Sequence, residues 1–297
     1  MDNLVTGGVD RIRDLLVRPG FHFVRGDAAS ALARYPVNGC PPRITHVWAL
    51  AGVASPIQYY RRPVETASAV ASALPATLEF ALDHAARFLW FSSSEVAGAS
   101  TDGQPLTETH VGGVSPVNLR SAYTEGKRFG EALTAAYWRA SGLDARIVRL
   151  FNIFGPSLPP ADGRVIPAFL GAALRGEAIV VHGDGTQTRS FCYVDDAVRG
   201  LLALMDASAA TFRSLKPDPP IVNLGNPEEI SMADLARLCW RVAGTGEARI
   251  VLSGGNPDDL ARRCPDISRA RELLRWAPRV HLEEGLRRTA DWIREVS

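Results

Sequence analysis

The stretch that decides the fold is F-L-W-F-S-S-S-E-V-A-G from Phe88 to Gly98, followed after a loop by S-A-Y-T-E-G-K from Ser121 to Lys127. Its apolar run has the length of a strand buried on both faces, and it ends in a serine cluster. Tyr123 and Lys127 are four residues apart, which places them on one face of a helix. A lysine ammonium beside a phenol favours the phenolate, so the pair predicts a tyrosine base that works near neutral pH. Ser93, at the strand end, could hold a substrate hydroxyl beside it. The alternative interpretation is an ordinary strand, loop and amphipathic helix.

Strand-like and helix-like segments alternate on both sides of this stretch. Residues 45–51 form an apolar run of strand length and residues 145–151 are another predicted strand, while residues 63–84 form a long helical pattern that Pro75 should kink or split. Such alternation predicts a doubly wound parallel, Rossmann-like α/β sheet. The other predicted strands are 21–24, 87–91, 178–182, 221–224 and 250–252, the other helices are 9–16, 28–35, 123–140, 165–175, 194–205, 231–243, 267–276 and 282–296, and the loops include 37–42, 52–60 and 183–191.

The composition after Asn152 becomes richer in loops and short elements, which predicts a second, smaller unit. We expect a Rossmann-like domain over residues 1–153, joined by about 191–224. A smaller α/β substrate-binding domain would comprise residues 154–190 and 225–297. It would pack over the carboxyl edge of the sheet, where doubly wound folds bind ligands.

The overall composition indicates a soluble globular protein. Of the 297 residues, 46% are apolar and 22% are charged, and the net charge of +1 gives no indication of nucleic acid or an anionic membrane as partner. No apolar run reaches the length of a membrane span, and the first residues do not form a signal peptide. The four cysteines are far apart, which favours reduced thiols in a cytoplasmic protein over a disulfide framework or a metal site.

Eight short runs together resemble one known family, the extended short-chain dehydrogenases/reductases that act on nucleotide sugars. The resemblance covers almost the whole chain and is closest to the UDP-glucuronate decarboxylases (UDP-xylose synthases). The runs are A-S-P-I-Q-Y (54–59), S-S-S-E-V (92–96), R-S-A-Y-T-E-G-K-R (120–128), R-L-F-N-I-F-G-P (149–156), D-G-R-V-I (162–166), G-D-G-T-Q-T-R-S-F-C-Y-V-D-D (183–196), N-L-G-N-P (223–227) and C-P-D-I-S-R-A (264–270).

This resemblance implies roles for individual residues. Tyr123 would take the proton of the sugar 4-hydroxyl while NAD takes a hydride from C4, and the resulting β-keto acid would lose carbon dioxide before NADH returns the hydride. Lys127 would lower the pKa of Tyr123 and bind the nicotinamide ribose. Ser93 would bind the 4-hydroxyl, and Glu95 would be an active-site glutamate. The resemblance implies contacts with a UDP-sugar substrate from Ser55, Tyr59, Arg120, Asn152, Val165, Gln187, Arg189 and Arg263.

The part of the pattern that holds the dinucleotide departs from the family. The sequence contains no G-x-G-x-x-G or G-x-x-G-x-x-G run, and Asp2 lies where the acidic ribose ligand that follows such a run belongs. Ala49, Val70 and Ala97 replace a histidine, an asparagine and a tyrosine that are usual in the family. The cofactor positions that the resemblance retains are Asp2, Asn3, Asp27, Leu50, Ala51, Tyr123 and Lys127.

Three interpretations therefore stay open. The sequence could begin at an internal methionine of a longer NAD-dependent enzyme. It could instead lack the first strand and helix, and use Tyr123, Lys127 and Glu95 for acid–base chemistry without a cofactor. Finally, it could be a non-catalytic protein that binds a nucleotide sugar, or a partner that fills the gap in its sheet. The resemblance also implies a homodimer formed through the long helix at residues 63–84 and the helix that carries Tyr123.

Overall fold

The computed structural model describes residues 1–35, 43–100, 103–158, 162–215, 218–255 and 262–296, so the loop predicted at residues 37–42 lies outside it. The helices are α1 (Arg13–Leu16), α2 (Ala28–Leu32), α3 (Pro56–Arg61), α4 (Pro63–Asp83), α5 (Ser121–Ser141), α6 (Val165–Leu174), α7 (Val194–Asp206), α8 (Met232–Ala243), α9 (Ser268–Leu274) and α10 (Leu282–Val296). Within the described ranges, 3-10 helices cover Val9–Ile12, Ser94–Ala97 and Ala209–Leu215. The strands are β1 (His46–Ala49), β2 (Arg87–Ser93), β3 (Ala145–Leu150), β4 (Ile153–Phe154), β5 (Ile179–His182), β6 (Thr188–Ser190), β7 (Cys192–Tyr193), β8 (Ile221–Leu224), β9 (Glu229–Ser231), β10 (Ile250–Ser253) and β11 (Arg262–Arg263).

A parallel sheet with the order β1-β2-β3-β8 forms the centre of the molecule. Successive residues of β2 pack into the apolar cores on opposite faces of the sheet, as the two-residue period of a strand requires. Phe88 and Trp90 pack with α4 and α5, whereas Leu89 and Phe91 pack with α7 and α9. The sheet is therefore covered on both faces, which explains why its strands are rich in apolar residues. The predicted doubly wound α/β fold is confirmed.

Smaller sheets follow the central strands along the chain. β10 pairs with β5, and β6 lies between β11 and β9. A separate apolar core includes Phe169, Val181, Leu235 and Leu286, and it joins β5 to α6, α8 and α10. Ser231 caps α8 as predicted, because its hydroxyl accepts the N–H of Asp234 at 3.0 Å. The domain boundaries stay a prediction.

Three predicted segments differ from the structure. Residues 21–24 form no strand, and the only pairing near them is a single parallel bridge between Asp2 and Arg25. Residues 52–60, expected to be loop, contain most of α3, which starts at Pro56 as its first residue. The loop expected at residues 183–191 contains β6.

Pro75 does not split the long helix, which continues from Pro63 to Asp83. A proline in a helix removes the hydrogen bond to the carbonyl four residues earlier. Here that carbonyl belongs to Ala71, an exposed residue, so water can replace the missing donor. The helix tolerates Pro75 because the unpaired group faces solvent.

Candidate active site

A cavity of about 780 Å³ lies at the carboxyl ends of β2 and β3, between the central sheet and the smaller sheets. Ser93 is the last residue of β2, and the first two turns of α5 bring Tyr123 and Lys127 to the same wall. Predicted residues that line the cavity are Leu50, Tyr59, Ser93, Glu95, Arg120, Tyr123, Lys127, Asn152, Val165, Gln187, Arg189 and Arg263. The structure thus gathers residues that are up to about two hundred positions apart in the sequence.

Tyr123 lies between an aromatic ring and a serine hydroxyl. The Tyr59 ring stacks on it with a centroid distance of 5.2 Å and an interplanar angle of 14°. Burial, and then the negative charge of Glu95, raise the pKa of Tyr123, whereas its hydrogen bond with the Ser93 hydroxyl lowers that pKa. The net direction is opposite to the one that the spacing of Tyr123 and Lys127 predicted. A phenolate at this position therefore needs stabilisation beyond what the protein groups provide.

Lys127 contacts the backbone and an aromatic ring instead of the tyrosine oxygen. Its ammonium donates a hydrogen bond to the Phe91 carbonyl at 2.7 Å and lies 4.7 Å from the centroid of the Trp90 ring. The distance to the centroid of the Tyr123 ring is 5.8 Å. Burial lowers the pKa of Lys127 from its ordinary value of 10.5 to about 8, because desolvation disfavours the charged form.

Glu95 lies between two arginines at the edge of the Tyr123 site. Its Oε1 atom is 3.6 Å from Nη1 of Arg120 and 3.6 Å from Nη1 of Arg263. Arg120 also donates from Nε to the Tyr60 hydroxyl at 3.0 Å. Arg263 is 6% exposed, and its Nε and Nη1 atoms have no hydrogen-bond partner. Because a buried guanidinium without hydrogen bonds is costly, this side chain is prepared for an anionic ligand.

The far end of the cavity contains the predicted nucleotide contacts. Asn152, between β3 and β4, has a left-handed conformation with φ of 40°, which asparagine tolerates, and donates to the Ser190 carbonyl at 2.9 Å. Gln187 donates to the His182 carbonyl at 2.6 Å. Arg189 is buried and donates to the Thr188 carbonyl at 2.7 Å. Val165 is the first residue of α6.

Some predicted site residues lie elsewhere. The Ser55 hydroxyl donates to the Asp162 carbonyl at 2.8 Å and so joins the segment before α3 to the segment before α6, outside the cavity wall. Asp2, Asn3, Asp27 and Ala51 are also absent from that wall. Asn3 and Asp27 form their own pair, in which the Asn3 amide donates to Asp27 at 3.0 Å.

Sequence reasoning missed two further residues of the site. Arg164 lines the cavity and its charge lowers the pKa of Tyr123, and Tyr60 holds the side chain of Arg120. Arg164 lies inside the D-G-R-V-I run, so its basic side chain was the available signal. Among the described residues, no group of three or more histidine, cysteine, aspartate and glutamate side chains could hold a metal ion. No helix in this part of the chain is long and apolar enough to cross a membrane.

The fold and this site together define a class of protein. The sequence profile of the NAD dependent epimerase/dehydratase family matches residues 8–225, and the chain belongs to that family. The chain is 39% identical over 285 residues to UDP-glucuronic acid decarboxylase 6 of Arabidopsis thaliana. The alignment covers 96% of this chain and 78% of the plant protein. It is 36% identical to UDP-glucuronic acid decarboxylase 1 of Xenopus tropicalis over 99% of this chain and 66% of the frog protein.

A solved structure with the same fold is that of UDP-glucose 4-epimerase from Thermotoga maritima, determined with UDP-glucose. The TM-score is 0.84 at 25% identity, over 99% of this chain and 90% of the epimerase. The family assignment and the fold expected from the sequence are therefore both confirmed.

The family is named for its dependence on NAD, and the described residues fit the nicotinamide end of this dinucleotide. Ser93, Tyr123 and Lys127 offer two hydroxyls and an ammonium, which suit a ribose and the reacting ring. Beside them, a Cβ atom added to Gly52 would lie 3.9 Å from Nζ of Lys127, so the backbone leaves this position open. A pyrophosphate is held by a glycine-rich turn at a helix N-terminus, and the described residues include no such turn of three closely spaced glycines. They fit the nicotinamide end only.

Proposed function

We propose that this chain acts on UDP-glucuronate and removes its carboxyl group as carbon dioxide, forming UDP-xylose. The observation that carries the proposal is the charge of the cavity. The described residues that line it include four arginines, Arg120, Arg164, Arg189 and Arg263, and one carboxylate, that of Glu95. UDP-glucuronate carries its negative charge in two places, the diphosphate and the sugar carboxylate, and arginine binds both kinds of group through paired N–H donors.

In this proposal the protein binds the substrate at both ends and moves one proton at its centre. Arg189 and Arg263 hold the diphosphate, and Arg120 is available for the sugar carboxylate when it exchanges Glu95 for the substrate. Tyr123 accepts the proton of the 4-hydroxyl, while the Ser93 hydroxyl, already bonded to Tyr123, orients it. NAD, when bound, supplies the hydride acceptor and donor for C4, and Ser93, Tyr123 and Lys127 are the residues that would hold its nicotinamide ribose.

The arginines of the cavity act on Tyr123 as well as on the substrate. Arg164 and Arg263 lower the pKa of Tyr123, and Glu95 raises it. A substrate carboxylate that displaced Glu95 from Arg120 would leave Glu95 less fixed beside the phenol. The proton transfer at Tyr123 would then depend on how the arginines distribute their charge between Glu95 and the substrate.

The test is a turnover assay of the purified chain with UDP-glucuronate, with and without added NAD, in which carbon dioxide release and the product sugar nucleotide are measured. We expect release that depends on NAD and falls by about 10²–10⁴-fold in Tyr123→Phe. Turnover that needs no nicotinamide and is lost in Tyr123→Phe would favour the cofactor-free alternative. Binding of UDP-glucuronate without any turnover would favour a non-catalytic binding protein.

Substrate contacts are tested separately, by calorimetric titration with UDP. Arg189→Ala should weaken UDP binding because a buried phosphate-facing guanidinium is lost. Arg61→Ala is the control, since this arginine is exposed on α3 and is absent from the cavity wall. Equal affinities of the two variants would contradict the assignment of the nucleotide end.

A further inference from the structure

Glu108 is a buried carboxyl group that the proposed chemistry does not use. It lies in the loop that precedes α5 and is 8% exposed. Oε1 accepts the backbone N–H of Asn223 at 2.8 Å, and Oε2 lies 3.6 Å from Nε of Arg269. Burial raises the pKa of Glu108, while the Asn223 hydrogen bond and the charge of Arg269 oppose that rise. Burying a carboxyl group is costly, so its partners must be held in place.

The loop around Glu108 is fixed to the helix that carries Tyr123. The Glu108 carbonyl accepts a hydrogen bond from Nη1 of Arg149 at 3.0 Å. The other guanidinium nitrogens of Arg149 form a bidentate pair with Glu131 of α5, each at 2.8 Å. Glu131 in turn accepts the hydroxyl of Ser92 at 2.6 Å. Glu131 is eight residues after Tyr123 and four after Lys127, so this pair holds the same face of α5 against β2 and β3.

The other side of the loop is fixed to the segment that follows Arg263. Leu106 donates its N–H to the Cys264 carbonyl at 2.8 Å and accepts the N–H of Asp266 at 2.9 Å. The Asn223 side chain donates to the carbonyls of Leu106 and Asp266, at 2.9 and 3.2 Å. Arg269 lies three residues beyond Asp266, at the start of α9, where it meets Glu108. The loop therefore holds residues 264–269 at both ends.

We propose that Glu108 is a positioning residue for Arg263, fixing the segment that carries this arginine at a set distance from Tyr123. The buried guanidinium of Arg263 lacks hydrogen-bond partners for two of its nitrogens and has the Glu95 carboxylate at 3.6 Å, so the backbone that bears it contributes to its placement. Glu108 supplies that placement by joining Asn223 of β8 to Arg269 of α9. That Arg263 contacts a ligand rests on the proposed function. The coupling of Glu108 to the segment that carries Arg263 does not.

The first test is a double-mutant cycle read out by calorimetric titration with UDP-glucuronate. Glu108→Gln keeps an oxygen for the Asn223 N–H but removes the charge that faces Arg269. We expect roughly tenfold weaker binding in Glu108→Gln alone and no further weakening when it is added to Arg263→Ala, because interacting residues are not additive. A merely structural effect would weaken binding by the same factor in both backgrounds, and that result would overturn the proposal.

The matched control is Asp196→Asn, which changes another buried carboxylate that is absent from the cavity wall. Asp196 accepts the N–H groups of Arg279 and Val280, both at 2.8 Å, and pairs with Arg199. Its loss should lower stability without changing the affinity for UDP-glucuronate. If Glu108→Gln does not fold, Arg269→Met removes the same ion pair from its more exposed side and should show the same dependence on Arg263.

A second readout needs no ligand and separates this proposal from the proposed function. Hydrogen exchange of the ligand-free protein should be faster at the Asp266 amide in Glu108→Gln or Arg269→Met, and unchanged there in Asp196→Asn. If the wild-type chain binds no UDP-glucuronate, the proposed function fails, yet faster exchange at Asp266 still supports the coupling. Unchanged exchange at Asp266 overturns the coupling whatever the ligand result.

Discussion

At the scale of single residues, the burial of Lys127 lowers the free energy of unfolding. It is a cation with 6% exposure, and among the described residues it has no carboxylate partner. Its pKa is lowered from 10.5 in the unfolded chain to about 8 in the folded protein. A base whose pKa is lowered by folding destabilises the protein below the folded pKa. This penalty decreases as the pH rises from about 8 to 10.5 and is absent above that range.

We therefore expect Lys127→Met to be more stable than the wild type at pH 7 by up to about 3 kcal/mol, the free energy of a shift of about 2.5 pKa units. The lost contacts with Phe91 and Trp90 reduce this gain. The measurement is urea unfolding of both proteins at pH 7 and pH 10. The difference in unfolding free energy should shrink at pH 10, and a difference that does not change with pH would contradict the assigned burial penalty.

The residue scale also shows how much of the site could be predicted. Ser93, Tyr123, Glu95 and Arg263 meet at one cavity, as the sequence predicted, because strand ends and helix starts share one edge of a parallel sheet. The direction of the Tyr123 pKa was predicted wrongly. Residue spacing puts Lys127 near the ring, but it cannot show that the ammonium bonds Phe91 or that Glu95 lies close enough to oppose ionisation.

At the scale of elements, one glycine allows α5 to pack against the Trp90 ring of β2. A Cβ atom at Gly130 would meet the Trp90 ring at 2.2 Å, too close for any side chain. Gly126, one turn earlier on the same helix, is different, since its Cβ atom would lie 3.5 Å from Val70 in ordinary contact. The two glycines therefore form a matched pair.

We expect Gly130→Ala to lower the unfolding free energy by about 1–3 kcal/mol, the usual cost of overpacking a core. Gly126→Ala should be neutral or stabilising by up to about 1 kcal/mol, because alanine favours a helix more than glycine does. Urea unfolding of the two variants and the wild type checks both values. Equal stabilities of the two variants would show that the Trp90 contact does not limit the approach of α5.

Elements with regular periods were predicted well, and those fixed by distant contacts were not. The strands β2, β3 and β8 are rich in apolar residues because helices cover both faces of the sheet, so their signal is local. The strand β6 has no such signal. Its residues Thr188, Arg189 and Ser190 are polar, and they become a strand because β9 and β11 pair with them from later in the chain. Residues 21–24 show the reverse, a strand-like pattern that acquires only one bridge.

At the scale of the whole molecule, two neighbouring helices expose apolar side chains to solvent. They are α5, which carries Tyr123, and the long helix α4 before it. Val64 of α4 is 76% exposed and Phe129 of α5 is 44% exposed. Two neighbouring helices with exposed apolar residues can pack against the same two helices of a second chain. The resulting four-helix bundle has two-fold symmetry. We propose that these two helices, α4 and α5, form the homodimer that the family resemblance implies.

Light scattering on a sizing column should then give a mass twice the 32.1 kDa of one chain. Phe129→Glu should shift the protein towards the monomer, because the charge would have to be buried at the interface. Leu202→Glu is the matched control, since Leu202 is 49% exposed on α7, across the sheet from α5, and its variant should stay dimeric. A monomeric wild type, or equal shifts in both variants, would exclude α4 and α5 as the dimer interface.

Because α5 also carries Tyr123 and Lys127, a dimer through it would stabilise the helix on which the proposed chemistry depends. Phe129→Glu should therefore lower turnover together with the mass.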